Sequence, residues 1–119
     1  MSSRTTNAMI EVSELRRKAP DNLRRMIAVL ERERQALATL DADGLFEAAR
    51  DKDQLCEALN PLTSAILDQE MRPLVETARD LNDVNRRVRN LLAANVASRL
   101  EALGGPRAAY KAGQFAKAV

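Results

Sequence analysis

The acidic stretch between residues 41 and 53 is the first place in this sequence where side-chain chemistry could be concentrated. It holds four aspartates, Asp41, Asp43, Asp51 and Asp53. A calcium loop needs oxygen ligands at alternate positions and a bidentate glutamate at its end, and this stretch has neither. We therefore predict that these aspartates cap a helix and cover its solvent face, with Asp43 as the N-cap.

The remaining candidates for catalysis or ligation are few. The chain has no histidine, which removes the usual general base near neutral pH and a common metal ligand. Cys56 is the single cysteine, and a catalytic thiol without a histidine is not expected. The Gly104-Gly105 pair is followed by Pro106 rather than by the Lys-Ser/Thr of a phosphate loop. The sequence thus predicts a non-enzyme with no catalytic residue, no metal site and no cofactor.

Length and composition predict one helical domain, residues 1–119. Only 3% of the residues are aromatic, so the core must be built from aliphatic side chains, which favour helices. The sequence has neither a basic–apolar leader nor an apolar run of about 18 residues, so we expect a cytoplasmic protein with no membrane insertion. The polar residues 1–7 are expected to be disordered.

Apolar residues recur at helical spacing in three segments, 23–40, 45–66 and 67–92. Lys52 lies within the second stripe, and the third alternates steps of four and three residues before Gly104-Gly105-Pro106 ends it. The pattern predicts an all-α fold, an elongated antiparallel three-helix bundle with coiled-coil-like packing. It leaves open whether the helices break at Pro20, Pro61 or Pro73.

The C-terminal third carries two features that could serve recognition. Asn85 falls on the apolar stripe of the third helix, where it either fixes the packing register or, together with Asn82, meets a partner. Residues 107–119 are expected to form a mobile tail that contains Tyr110 and Phe115. Aromatic side chains in such a tail either anchor an interface or fold back on the bundle.

The C-terminal third is also basic. From Arg86 onward the sequence has seven basic residues and one acid, Glu101, in a chain of net charge +2. Arg86, Arg87 and Arg89 could contact phosphates, so a basic helical nucleic-acid binder is one alternative. The helix has no stacking aromatic and no helix-turn-helix signature, so no nucleic-acid partner is expected.

Four short motifs follow one another along the chain. The first helix ends in Glu-x-x-x-Leu at residues 33–37, and the second begins with Asp43, Leu45 and Lys52. The third contains Leu-Asn-Asp-Val-Asn at residues 81–85, and the tail contains Tyr-x-x-Gly from Tyr110 to Gly113. In this order, over residues 23–115, the motifs resemble the FlgN family of flagellar type III export chaperones.

The resemblance implies a cytosolic chaperone for hook–filament junction proteins, also called hook-associated proteins. The third helix and the segment after it would hold the cargo. The chaperone would deliver that cargo to export-gate or export-ATPase components, with Tyr110 docking on the gate.

The continuation of the third helix's stripe is the candidate cargo groove, since an amphipathic helix can lie in such a groove. Its members are Leu92, Val96, Leu100 and Leu103, with Arg99 on the rim, and the predicted partner-binding set is completed by Asn82, Asn85, Tyr110 and Gly113. The other alternative is a self-associating coiled-coil scaffold, a homodimer that uses the stripe of residues 67–92 on itself.

Overall fold

The computed structural model describes residues 3–104, which form three helices and no strand: α1 (Ser3–Thr39), α2 (Ala42–Leu59) and α3 (Met71–Gly104). The predicted all-α three-helix fold is confirmed. Residues up to Asn82 form one compact unit, and α3 from Asp83 onward belongs to a second. The predicted tail, residues 107–119, lies outside the described residues.

α1 begins at Ser3, within the segment that the sequence predicts to be disordered, and runs through Pro20. Extending an existing helix by a turn costs little, since the expensive nucleation step is already made. The proline is tolerated because Ala19 and Leu23, on either side of it, are buried in the core.

A two-residue turn joins α1 to α2 and makes them antiparallel neighbours. Leu40 has a left-handed backbone, φ 55°, and its N–H donates to the carbonyl of Leu37. The N–H of Asp41 donates to the carbonyl of Ala36 at 2.9 Å. These two bonds form a Schellman motif, which satisfies the last carbonyls of α1 and reverses the chain.

The N-cap of α2 is Asp41, so the prediction of Asp43 is wrong. Asp41 has an extended backbone immediately before the helix, and its carboxylate accepts from the N–H of Gly44 at 3.0 Å. A Cβ at Gly44 would lie 2.6 Å from a carboxylate oxygen of Asp41, so glycine leaves the room that the cap occupies. Asp43 lies in the first turn instead, where its charge complements the helix dipole.

Two charged residues that interrupt the apolar stripes of α1 and α2 pair with each other. Glu33 is buried, and the Nζ of Lys52 lies 3.6 Å from its carboxylate. The neighbouring pair, Arg32 and Asp51 at 2.7 Å, lies on the surface. The residues that weaken the sequence pattern are therefore complementary in the folded hairpin.

The segment between α2 and α3 closes the core of the first unit. The sequence left a break at Pro61 open, and α2 ends just before it, at Leu59. The segment also supplies the cap of α3, since Asp68 accepts from the N–H of Met71 at 2.9 Å. Pro73 therefore lies in the first turn of α3, where a proline is tolerated. Ala19, Leu23 and Met71 form the buried core cluster, packed against Leu59, Leu62, Leu67, Leu74 and Val75.

Candidate partner-binding face of α3

The least exposed residues of α3 follow the predicted steps of four and three. In the first unit, Met71 is buried, and Leu74, Ala78 and Leu81 are half-buried. In the second unit, Asn85 is buried, and Val88 and Leu92 are half-buried. Leu67, which the sequence pattern counts in the same stripe, instead precedes the helix in the capped turn.

The two asparagines of the Leu-Asn-x-x-Asn motif differ in exposure. Asn85 is fully buried, so it offers no surface to a partner. Its position in the stripe fits the register-fixing role that the sequence left open. Asn82 is exposed and keeps its side chain available for contact.

Beyond Leu92 the apolar stripe of α3 reaches the surface. Val96 is 47% exposed and Leu103 is 86% exposed, while Leu100 is half-buried. At about 100° per residue, positions 92, 96, 99, 100 and 103 fall within an arc of about 100°, one face of the helix. We call these five residues the terminal face: Leu92, Val96, Arg99, Leu100 and Leu103.

Arg99 is exposed within the terminal face. The positions three and four residues away are Asn95, Val96, Ala102 and Leu103, none of which carries a charge. These positions are its neighbours on the helix surface. The only acid beyond Asp83 is Glu101, which is two residues from Arg99 and therefore about 200° around the helix. The terminal face thus combines aliphatic side chains with a single guanidinium.

The arginines at the start of the second unit are arranged differently. Asp83 forms ion pairs with Arg86 and Arg87, the latter at 2.9 Å. The hydrogen bond from Arg86, together with the charges of both arginines, lowers the pKa of Asp83. Two of the three arginines that suggested phosphate contacts are therefore partly neutralised by a carboxylate of their own helix.

A groove in the first unit was not identified from the sequence. It has a volume of about 470 Å³, and its apolar walls include Val12 and Leu15 of α1, Ala58 of α2, and Pro61 and Ile66 of the connection. The available signal was the amphipathic spacing ahead of Pro20, where Met9 and Ile10 are exposed on the same helix. That spacing alone does not reveal which later segment forms the opposite wall.

The other residues considered for chemistry have structural roles or lie on the surface. Asp41 caps α2, Asp51 pairs with Arg32, and Cys56 is exposed. Within residues 3–104 no three side chains of the metal-binding types come together as a cation site. Tyr110 and Gly113, which the resemblance assigns to the export gate, lie outside the described residues.

Across the described part of the chain, no helix combines the length and the apolar character needed to cross a bilayer. Comparison with protein-family models, with curated proteins and with solved structures gives no match for this chain.

Proposed function

We propose that this protein is a non-enzymatic export chaperone of the cytosol. In this proposal it binds hook-associated flagellar proteins through the C-terminal part of α3 and delivers them to the type III export apparatus. The observation that carries the proposal is the change along α3, whose stripe is buried or half-buried from Met71 to Leu92, whereas beyond Leu92 it is exposed at Val96 and Leu103 and half-buried at Leu100.

A stripe of this kind suits a cargo that is itself an amphipathic helix. Proteins that assemble through coiled coils expose an apolar stripe before assembly, and that stripe associates prematurely unless it is covered. The terminal face offers aliphatic side chains at i, i+4, i+8 and i+11 of α3. These side chains can cover the apolar stripe of the cargo helix in the helix-in-groove mode. The same contact would hold the cargo unassembled until it is released.

The motif order supports the same proposal. The Leu-Asn-x-x-Asn sequence at residues 81–85 immediately precedes the exposed part of the stripe, and its buried Asn85 can fix the register of α3. Export-gate or export-ATPase components would be the second partner of the protein, through the segment that contains Tyr110.

The test is capture of cargo by surface variants that leave the core intact. Purified protein is incubated with the C-terminal helical segments of hook-associated proteins, and co-purification is measured for wild type and for a Val96→Asp/Leu103→Asp double variant. Both residues are exposed, so each substitution should change the free energy of unfolding by less than about 0.5 kcal/mol. Cargo capture should be lost because each substitution removes aliphatic contact area and places a carboxylate in an apolar interface, where removing its water is costly even beside Arg99.

Phe46→Asp is the matched control, because Phe46 is an apolar residue of α2 that is 76% exposed. It should capture cargo as the wild type does.

Deletion of residues 93–119 should abolish capture while the far-UV circular dichroism of the remaining helices persists. Undiminished capture by the double variant or by the truncated chain would contradict the proposal. A concentration-independent dimer in light scattering that excludes cargo would favour the scaffold alternative instead.

A further inference from the structure

The terminal face contains one charge that its own helix does not neutralise. Arg99 is exposed, has no acid at the neighbouring positions of α3, and is flanked on the helix surface by Val96 and Leu103. A purely apolar cargo stripe would have to cover this guanidinium and strip its water, which is unfavourable without an acceptor. A carboxylate on the partner would instead form a charge-assisted, bidentate hydrogen bond with it.

Resting on the proposed function, we infer that the terminal face selects an acidic amphipathic helix, and that Arg99 determines this specificity by pairing with a carboxylate that borders the partner's apolar stripe. The aliphatic residues supply contact area for any amphipathic helix, so they do not discriminate by charge. The guanidinium does, because a cationic side chain opposite it is repelled and an anionic one is attracted.

The same charge argues against a second copy of this chain as the occupant. A two-fold dimer through this face would bring the same surface of both chains together. Residues 84–104 contain four arginines and one glutamate, and that glutamate lies on the side of the helix away from Arg99. Two such helices would place like charges near each other, whereas an acidic helix from another protein would complement them.

Two synthetic helices provide the probe. Each is about 20 residues long with leucine at heptad positions a and d, and the two differ only in carrying glutamate or lysine at positions e and g. Fluorescence anisotropy measures their binding to the full-length protein, at peptide concentrations where they are monomeric. We expect the wild type to bind the glutamate helix about tenfold more tightly than the lysine helix, with a preference that decreases as salt is added.

Substitutions at Arg99 decide whether this residue is the determinant. Arg99→Glu should invert the preference, and Arg99→Lys should keep its sign with a smaller ratio, because lysine retains the charge and loses the planar fork. Arg72→Glu is the matched control, since Arg72 is an exposed arginine in the first turn of the same helix, where an acid is tolerated. It should leave the ratio within about twofold of the wild type.

Equal binding of the two helices by the wild type would overturn the inference. An unchanged preference in Arg99→Glu would also overturn it, as would failure to bind either helix. These outcomes are separable from those of the proposed function. Capture of hook-associated segments that does not respond to Arg99→Glu would leave the chaperone proposal standing without the charge selection. A charge-selective face that captures no such segment would leave the selection standing without that cargo.

Discussion

The α1–α2 hairpin and the terminal face of α3 both place a charged residue in an apolar stripe, with opposite results. In the hairpin, Glu33 is buried and its charge is met by Lys52 from the neighbouring helix. In the terminal face, Arg99 is exposed among aliphatic side chains, and its helix offers no acid beside it. The same sequence feature therefore belongs to the protein's own packing in one region and fits recognition of another molecule in the other.

The difference also separates the residues that maintain the fold from those free to serve binding. Substitutions in the hairpin should change the free energy of unfolding, whereas those in the terminal face should change affinity for a partner. Two measurements on the isolated chain test the part of this separation that concerns stability, and a third examines the exposed ion pairs of α3.

The largest expected effect comes from comparing one leucine of each region. Leu30 is 1% exposed, and Leu103 is 86% exposed. Leu30→Ala should lower the free energy of unfolding by about 3 kcal/mol, because it leaves a cavity in a packed interior. Leu103→Ala should change it by less than about 0.5 kcal/mol. Urea unfolding followed by circular dichroism measures both, and equal destabilisation would break the comparison.

The buried ion pair should give the second effect. Lys52→Met leaves the Glu33 carboxylate buried without its cation, which should cost about 2 kcal/mol, less than for a fully buried pair because Lys52 keeps a path to water. The double variant Glu33→Leu/Lys52→Met should recover most of that loss, since apolar residues can replace a buried pair. Arg32→Met, in the exposed pair next to it, should cost less than about 1 kcal/mol. A double variant that is less stable than Lys52→Met would show that the charges stabilise the hairpin beyond satisfying each other.

The smallest effect concerns pH and the exposed pairs of the second unit. The arginines beside Asp83 lower its pKa in the folded protein, so the pairs stabilise the helix above the unfolded pKa of aspartate, about 4. That stability is lost as the pH falls through the lower, folded pKa. Circular dichroism across this range should show Asp83→Asn less helical than the wild type near neutral pH, with the two converging in acid.

Asp80→Asn, at an exposed aspartate three residues earlier, is the control for removing a negative charge from α3. Near neutral pH, Asp80→Asn should lower the helicity relative to the wild type by less than Asp83→Asn does. If both variants behaved alike, the effect would come from the net charge of the helix and not from the two ion pairs.

Much of the fold could be predicted from spacing alone, because burial of apolar stripes decides which face of a helix points inward. The steps of four and three correctly identify the least exposed line of α3, including Asn85. The N-cap of α2 could not be placed correctly, because the choice between Asp41 and Asp43 depends on the left-handed backbone of Leu40. Leucine rarely adopts a left-handed backbone, so the sequence does not indicate one there.

The candidate site was predictable only in part. The residues of the terminal face follow from continuing the stripe. The exposure of Val96 and Leu103, however, depends on which other parts of the protein cover the helix, and the spacing within one helix does not give that information. The partner of Glu33 was equally hidden, because Lys52 is remote in sequence and only the antiparallel hairpin brings the two together. Pairings across elements need the topology as well as the pattern.

The proline in α1 has a consequence for how the molecule opens. Pro20 has no amide hydrogen, so one backbone hydrogen bond is missing between the first turns of α1 and the part that packs in the hairpin. Residues 3–18, which precede the buried Ala19, can therefore detach as a local unit at a lower free energy than global unfolding. The same stretch supplies Val12 and Leu15 to the groove of the first unit, so the width of that groove is set by the part of α1 that is least tied to the rest.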